Sequence, residues 1–368
     1  MGEVMFNKAL EILKIFNEYG FQAFIVGGYP RDTLLNVSTD DIDICTSATP
    51  KDIIKIFETS KKQDASYGSI RVTYKNNEFD ITTFRKDIKY EGNRKPVKIK
   101  YINDLKKDLL RRDFTINTIC IDSDGNYIDL LKGKEDIDKK IIRTVGNPKS
   151  KIKEDSLRIL RAIRFATNLD FVIEEKTKDA IIKYGHLLEK LSTSRKKDEL
   201  NKIFSNKNKE LGRQLIIELK LDKYLGLNNI NNIVMCDDII GIWSQLDLSY
   251  DYPFTKIEKK TMKDIKNMLK EEINAYSIYK YGLYISTVVS SIKNINLEII
   301  NHIYHELPIF SKKDIVITPN EIADFLHKKP GNYISEILNQ IEYQIVNKKL
   351  SNTKKELFKY IGDNYGNI

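Results

Sequence analysis

The stretch GGYPRDTLLNVSTDDIDICT, residues 27–46, ends in an alternation of carboxylate and isoleucine side chains: Asp41, Ile42, Asp43 and Ile44. Successive side chains of a β-strand point to opposite faces of the sheet. Asp41 and Asp43 are therefore expected on one face, with the two isoleucines anchoring the other. Two neighbouring carboxylates on one strand face predict a metal-binding position.

Short strand patterns alternate with helical segments over the first 150 residues. QAFIVGG and DDIDICT predict single strands, whereas SIRVTYKNNEFDITTFR and NTICIDSDGNYIDLL predict hairpins that turn near Asn76-Asn77 and Asp124-Gly125. From EDSLRILRAIRFATNL onward the hydrophobic residues recur with helical spacing. The pattern predicts an α+β head followed by an all-helical body.

Charge and cysteine content narrow the setting of the protein. The 368 residues carry a net charge of +9, which suits a polyanionic partner such as nucleic acid or an acidic membrane surface, or else reflects lysine-rich solvated faces. Cys45, Cys120 and Cys236 are scattered among apolar residues, which predicts buried thiols in a reducing compartment. No apolar run reaches the roughly 18 residues of a membrane span. We therefore expect a cytoplasmic protein.

The glycine pair Gly27-Gly28 follows a predicted strand and precedes a helix expected to open at Arg31-Asp32. Glycine lets a backbone approach a phosphate closely, and a helix N-terminus favours an anion. A phosphate cradle beside two carboxylates is what nucleotidyl transfer requires, with two Mg²⁺ ions bound to the carboxylates. Asp80, in EFDITTF, is either a third catalytic carboxylate or an ordinary surface residue of its strand.

Four motifs occur in a fixed order: GGYPRDTLL, DDIDICTSATP, RRDFTIN at 111–117 and EDSLRILRAIRFA at 154–166. Together they resemble the class II tRNA nucleotidyltransferases, which comprise the CCA-adding enzymes and their poly(A) polymerase relatives within the polymerase β superfamily. The resemblance implies a polymerase β-type catalytic head with a mixed sheet over residues 1–147. It also implies a helical neck over 148–205 that recognises the nucleotide base, and a helical body and tail over 206–368 that bind tRNA.

The resemblance also assigns roles to individual residues of this chain. Asp41 and Asp43 are implied as Mg²⁺ ligands and catalytic residues. The implied nucleotide-binding residues are Gly28 and Arg31 at the triphosphate, Arg112 in the same site, Asp155 and Arg158 as a base-reading pair, and Arg161 and Arg164 as further nucleotide contacts.

Physical chemistry supports a base-reading role for Asp155 and Arg158. Residues three apart on a helix are neighbours, so the pair presents an acceptor beside a donor fork. Cytosine and adenine share one Watson–Crick pattern of amino donor and ring-nitrogen acceptor, whereas uracil and guanine show the opposite one. The pair would thus accept C and A without a template, and a wrong base would leave buried polar groups unpaired. The alternative is a plain surface salt bridge.

Residues 84–101, FRKDIKYEGNRKPVKIKY, are basic, lack clear periodicity and predict a mobile loop. In CCA-adding relatives a loop in this place helps the site change from C to A. The sequence therefore favours full CCA addition to the tRNA 3′ end from CTP and ATP, with further contacts at the acceptor and elbow of the tRNA. A poly(A) polymerase using ATP alone, a partial CC-adding or A-adding enzyme and a non-catalytic RNA-binding protein remain as alternatives. No protein partner is implied.

Overall fold

A computed structural model describes residues 2–58, 68–91 and 95–366, with positions 2, 89–91 and 95–98 given by the backbone alone. The chain divides into two compact units. Unit 1 comprises Met1–Asn231 and Asp247–Pro253, and unit 2 comprises Asn232–Leu246 and Phe254–Ile368. The predicted boundaries at residues 148 and 206 both fall inside unit 1, and the division into head, neck and body stays a prediction.

The centre of the first 130 residues is a six-stranded mixed sheet. Its strands, in spatial order, are β3 (Ser69–Tyr74), β4 (Asn77–Thr83), β2 (Asp43–Thr46), β1 (Ala23–Val26), β7 (Cys120–Ile121) and β8 (Tyr127–Ile128). Strand β2 runs antiparallel to β1 and parallel to β4. The other described strands are β5 (Arg85–Glu91), β6 (Lys95–Tyr101), β9 (Ile141–Ile142) and β10 (Val172–Ile173). Both predicted hairpins are confirmed, as β3-β4 and β7-β8.

Alternating side chains give this sheet two apolar faces. Ile25 and Ile44 are fully buried in the cluster that contains the first helix of the chain, Gly2–Glu18. Val26 and Cys45, the next residue on each strand, belong to a second cluster with Leu109 and Cys120. Asp43 lies two residues before Cys45, so its side chain shares the face of this second cluster.

In unit 1, helices alternate with the strands of the sheet and then make up most of the chain after β8. They are α1 (Gly2–Glu18), α2 (Gly28–Leu34), α3 (Pro50–Ile56), α4 (Leu105–Leu110), α5 (Gly133–Asp138), α6 (Pro148–Glu154), α7 (Leu157–Leu169), α8 (Glu175–Tyr184), α9 (Thr193–Phe204), α10 (Lys209–Glu218) and α11 (Asp222–Leu225). Helix α7 buries Ile159, Leu160 and Ile163 and packs against α9 and α10. The two-residue strand β10 pairs with β9 and ties the end of α7 to the preceding segment.

The segment at 84–101 is not a loop. Its described residues form an antiparallel pair of strands, β5 and β6, in register from Arg85 with Tyr101 to Glu91 with Lys95 and with irregularities between Asp87 and Tyr90. Residues 92–94 lie outside the described residues. Lysines and the exposed Ile88 obscure the alternation that would have predicted strands, and the pair forms a sheet separate from the main one.

Unit 2 is built from helices around one apolar cluster that includes Ile265, Val289, Ile337 and Leu357. Its helices are α12 (Ile239–Gln245), α13 (Lys256–Met268), α14 (Ala275–Ile292), α15 (Leu297–His305), α16 (Pro319–Phe325), α17 (Tyr333–Val346) and α18 (Lys354–Tyr365). Helix α14 bends at Gly282, whose φ of 79° lies outside the helical region.

The predicted fold class is confirmed: an α+β head with a mixed sheet precedes a helical remainder, to which the structure adds strand β10. The three cysteines are buried and free, as expected. Within the described residues, every helix is too short or too polar to traverse a lipid bilayer.

We predict that Gly212→Ala destabilises unit 1 by about 1–3 kcal/mol. A Cβ at this position of α10 would overlap the Ile203 side chain and lie 2.9 Å from the Thr167 hydroxyl oxygen, so α9 and α7 would have to shift. The free energy of unfolding from denaturant titration measures the change.

Gly362→Ala is the matched control, because a Cβ on this exposed glycine of α18 meets nothing closer than 3.6 Å. Alanine has the higher helix propensity, so this variant should gain up to about 1 kcal/mol. Equal unfolding free energies for the two variants would contradict the close packing of α10.

Candidate active site

A cavity of about 420 Å³ opens in unit 1 beside the edge where β1 ends and β2 begins. It combines a glycine turn, carboxylates, arginines and one aromatic ring. The lining residues are Gly27, Gly28, Arg31, Asp43, Arg85, Asp87, Arg111, Arg112, Asp113, Asn117, Asp155, Arg158, Arg161 and Phe165. A lining of this kind suits a compact polyanion that also carries hydrogen-bonding groups.

The glycine turn lies directly against the carboxylate strand. Val26, the last residue of β1, pairs with Asp43, and Gly27 then turns with a φ of 88°. A Cβ on Gly27 would lie 3.2 Å from the Asp43 carboxylate, so a side chain would crowd the site in addition to straining the backbone. Helix α2 begins at Gly28, three residues earlier than predicted, which places Arg31 in its middle.

The predicted alternation of Asp41 to Ile44 is present in the burial pattern. Ile42 and Ile44 are buried, while Asp41 and Asp43 are exposed. Of the two aspartates, only Asp43 belongs to strand β2, because Asp41 precedes it. Although Asp43 as a whole residue is exposed, nearby protein atoms partly desolvate its carboxyl group. This desolvation and the neighbouring charge of Asp41 raise the pKa of Asp43 to about 6, and Asp80 adds to the shift against the opposing charge of Arg112. The carboxylates therefore repel one another where they lie.

Asp80 is the register partner of Asp43 on the parallel strand β4. Its two carboxylate oxygens accept hydrogen bonds from the Arg71 guanidinium, each at 2.8 Å. The structure thus brings Asp80 close to Asp43 but engages it with Arg71, and Asp80 does not line the cavity.

Asp108 holds two arginines of the site. Its fully buried carboxylate accepts from Arg111 Nε at 2.8 Å, from Arg112 Nη2 at 3.5 Å and from the backbone N–H of Arg85 at 3.1 Å. The second arginine of RRDFT keeps a buried Nε without a hydrogen-bond partner among the described residues. One buried charge therefore positions both members of the Arg111-Arg112 pair and the first residue of β5.

Asp113 links arginines from two helices. It accepts from Arg161 Nε at 2.7 Å and from Asn117 Nδ2 at 3.2 Å, and the Asn117 side-chain oxygen accepts from Arg31 Nη1 at 2.6 Å. Burial alone would raise the pKa of Asp113, but the Arg161 charge and these hydrogen bonds hold it well below its usual value. The carboxylate is thus a permanent counter-charge for the site.

Asp155 and Arg158 both line the cavity, but they do not lie on one helix as predicted. Asp155 ends α6 in an extended conformation, with a φ of −147°, and accepts from the backbone N–H of Leu157 at 3.0 Å. Arg158 donates to the Arg111 carbonyl at 2.9 Å and to the Lys151 carbonyl at 3.2 Å. Asp155 is extended because its side chain caps the start of α7.

The other residues predicted for the site differ in whether they line the cavity. Gly28, Arg31, Arg112 and Arg161 line the cavity, whereas Asp41 and Arg164 do not. Sequence reasoning missed other lining residues that lie within or beside quoted motifs: Arg85, Asp87, Arg111, Asp113, Asn117 and Phe165. The run RRDFTIN contains three of these, and polar residues at the start of a buried segment were the available signal.

Family models match three parts of the chain. They are described as a poly A polymerase head domain over residues 23–143, a probable RNA and SrmB-binding site of polymerase A over 170–228, and a putative tRNA nucleotidyltransferase domain 2 over 248–361.

Curated relatives match almost end to end. A CCA-adding enzyme of Ligilactobacillus salivarius is 34% identical over 96% of this chain and 95% of its own length. One from Staphylococcus haemolyticus is 33% identical over 99% of each chain. Among solved structures, the Bacillus stearothermophilus CCA-adding enzyme in complex with CTP has a TM-score of 0.85 and 25% identity, covering 98% of this chain and 97% of the other.

We predict that Asp108→Asn lowers the free energy of unfolding by about 2–4 kcal/mol, because it removes a buried counter-charge from two arginines. Denaturant titration of the full chain measures the loss.

Asp104→Asn is the control, since Asp104 is the N-cap that precedes α4, has a side chain 43% exposed and accepts from the Lys107 N–H. Asparagine caps a helix as well as aspartate does, so the control should change stability by less than about 1 kcal/mol. A loss no greater in Asp108→Asn than in this control would refute the role assigned to Asp108.

Proposed function

This chain belongs to the family of CCA-adding enzymes, and from that premise we propose that it adds or repairs the 3′-terminal CCA of tRNA with CTP and ATP. One observation carries the proposal: a single cavity joins Asp43, the Gly27-Gly28 turn, several arginines and the Asp155/Arg158 pair. A nucleotidyl transferase that reads its own nucleotide needs each of these in one place.

In this reaction the tRNA 3′-hydroxyl oxygen forms a bond to the α-phosphorus of the nucleotide while the bond to the β-phosphate oxygen breaks, releasing pyrophosphate. Arg31 and Arg112, held by Asp32 and Asp108, supply fixed positive charge for the triphosphate. The Gly27-Gly28 turn leaves the space in which phosphate oxygens approach the backbone.

The family implies dependence on a divalent metal, and the donor set fits Mg²⁺. Asp41 and Asp43 would hold it, because desolvation and the charge of Asp41 both raise the pKa of Asp43, and a bound cation would offset both effects. The described residues contain no group of three or more His, Cys, Asp or Glu side chains suited to a metal, and Mg²⁺ typically completes its shell with substrate phosphates and water. When bound, Mg²⁺ would lower the pKa of the attacking hydroxyl and stabilise the leaving oxygen. Asp80 remains a candidate third catalytic carboxylate.

Asp155 and Arg158 are proposed to read the base. Asp155 would accept from the exocyclic amino group that cytosine and adenine share, and Arg158 would donate to the adjacent ring nitrogen. Three hydrogen-bonded acceptors, the Arg111 and Lys151 carbonyls and the Glu154 carboxylate, hold the guanidinium of Arg158 in place. A fixed donor fork rejects a base that presents the opposite pattern.

The second candidate is a poly(A) polymerase that uses ATP alone, which the description of the head-domain model suggests. The relatives that match over the whole chain are CCA-adding enzymes, which favours CCA addition. The tRNA acceptor and elbow are the proposed partner surfaces, with the net charge of +9 assisting their attraction. The cytoplasm is the proposed location, in keeping with three free cysteines.

We predict that the purified protein extends a tRNA transcript lacking CCA by two nucleotides with CTP and by three with CTP and ATP in Mg²⁺. Single-nucleotide gel resolution of the products measures this. Asp41→Ala should abolish extension while leaving tRNA binding intact, because the carboxylate serves the chemistry and not the grip on the RNA.

A long ladder from ATP alone would establish the poly(A) polymerase instead. Arrest after two additions with both nucleotides present would establish a CC-adding enzyme. Loss of tRNA binding in Asp41→Ala would contradict the assignment of this carboxylate to the chemistry alone.

We further predict that Arg158→Ala reduces discrimination between CTP and UTP by about 1–3 kcal/mol, the scale of one bidentate base contact. The ratio of kcat/KM for the two nucleotides measures it. Arg143→Ala serves as the control, because Arg143 pairs with Asp136 and Glu174 outside the cavity. An unchanged ratio in Arg158→Ala would exclude the base-reading role.

A further inference from the structure

A single phenylalanine ring lies under three guanidinium groups at one wall of the cavity. The Cζ atoms of Arg164, Arg31 and Arg161 lie 4.6, 5.2 and 5.4 Å from the centroid of the Phe165 ring. The ring is 8% exposed and lines the cavity with Arg31 and Arg161. All three distances fall within the range of cation–π attraction.

Three positive charges this close together repel one another. Burial lowers the pKa of Arg164, and the charges of Arg161 and Arg31 lower it further. Each arginine has its own carboxylate partner, and these partners lie on different elements: Asp32 for Arg31, Asp113 for Arg161 and Glu199 for Arg164. The Phe165 ring is the group that all three arginines share.

The ring is itself held in place. Phe114 and Phe165 form a T-shaped pair, with centroids 5.7 Å apart and planes at 77°. Phe165 belongs to α7, which also carries Arg161 and Arg164, whereas Arg31 comes from α2. The negative face of the ring therefore joins arginines from two separate helices into one cluster.

We propose that Phe165 is a positioning residue that holds Arg31 and Arg161 in a polyphosphate-binding wall of the cavity. Arg164 does not line the cavity and adds a third positive charge at the same ring. The inference rests on the proposed function and names the part of the nucleotide that this wall recognises. A base edge is satisfied by one bidentate side chain, whereas adjacent guanidinium groups match the several charged oxygens of a triphosphate. A preassembled wall avoids the cost of ordering these long side chains when the nucleotide binds.

Two simpler roles would give different behaviour. A ring that stacked on the nucleotide base would contribute equally to binding of CTP and CMP, since both carry cytosine. A ring that only filled the core would affect folding stability without distinguishing the two ligands.

The test measures dissociation constants of CTP and CMP by calorimetry, in Mg²⁺, for the full chain. Phe165→Leu should weaken CTP binding by about tenfold and CMP binding by no more than about threefold, the scale of lost cation–π attraction. Phe165→Tyr keeps the aromatic face and should restore CTP binding to within about threefold. Phe165→Met supplies a second apolar, non-aromatic replacement of similar volume if the leucine variant folds poorly.

Phe171→Leu is the matched control, because Phe171 follows the same helix, is 5% exposed and does not line the cavity. It should leave the ratio of the two dissociation constants unchanged. Equal weakening of CTP and CMP in Phe165→Leu, or behaviour identical to Phe171→Leu, overturns the inference while leaving the proposed function standing. A wild-type protein that binds no CTP overturns the proposed function and the inference together.

Discussion

The cavity depends on burying carboxylates beneath arginines. Six arginines line it, and their repulsion would open the site if each were balanced only by solvent. Asp108 and Asp113 supply the balance from inside the protein, Asp108 toward Arg111 and Arg112 and Asp113 toward Arg161. A buried ion pair contributes little net stability compared with apolar packing. Its value here is geometric, since it fixes where the positive charge lies before a ligand arrives.

The sheet supplies the complementary negative position. Because β1 and β2 are antiparallel and pair Val26 with Asp43, the end of one strand meets the start of the other. The glycine turn and the carboxylate are brought together by this register alone, although 14 intervening residues separate Gly28 from Asp43 in the sequence. Register also explains why Asp43 faces the arginines: it shares its face with Cys45, which lies in the same cluster as Leu109 of α4.

Local patterns in the sequence predicted the elements that depend on neighbouring residues. Alternation predicted β2, turn residues predicted two hairpins, and helical spacing predicted the remainder. The failures involve contacts between distant segments. The carboxylate of Asp108 caps the backbone of Arg85, 23 residues away, and nothing in the periodicity of LKKDLL indicates this. The strands within 85–101 were missed because β5 and β6 pair with each other and not with the main sheet.

The position of Asp155 shows why a motif did not reveal its own geometry. The letters EDSLR suggest one continuous helix, since no proline or glycine interrupts them. The helix instead is interrupted at Asp155, whose carboxylate accepts from the Leu157 N–H at the start of α7. Aspartate is more favourable in such a capping position than in the interior of a helix.

This break has a consequence for the site. The Asp155 side chain belongs to the junction of two helices, whereas Arg158 is bonded to the carbonyl of Arg111. Arg111 in turn is held by Asp108, which also holds Arg112. The proposed base-reading donor and Arg112, one of the arginines proposed for the triphosphate, therefore belong to one hydrogen-bonded assembly, so a shift that moves one of them moves the other.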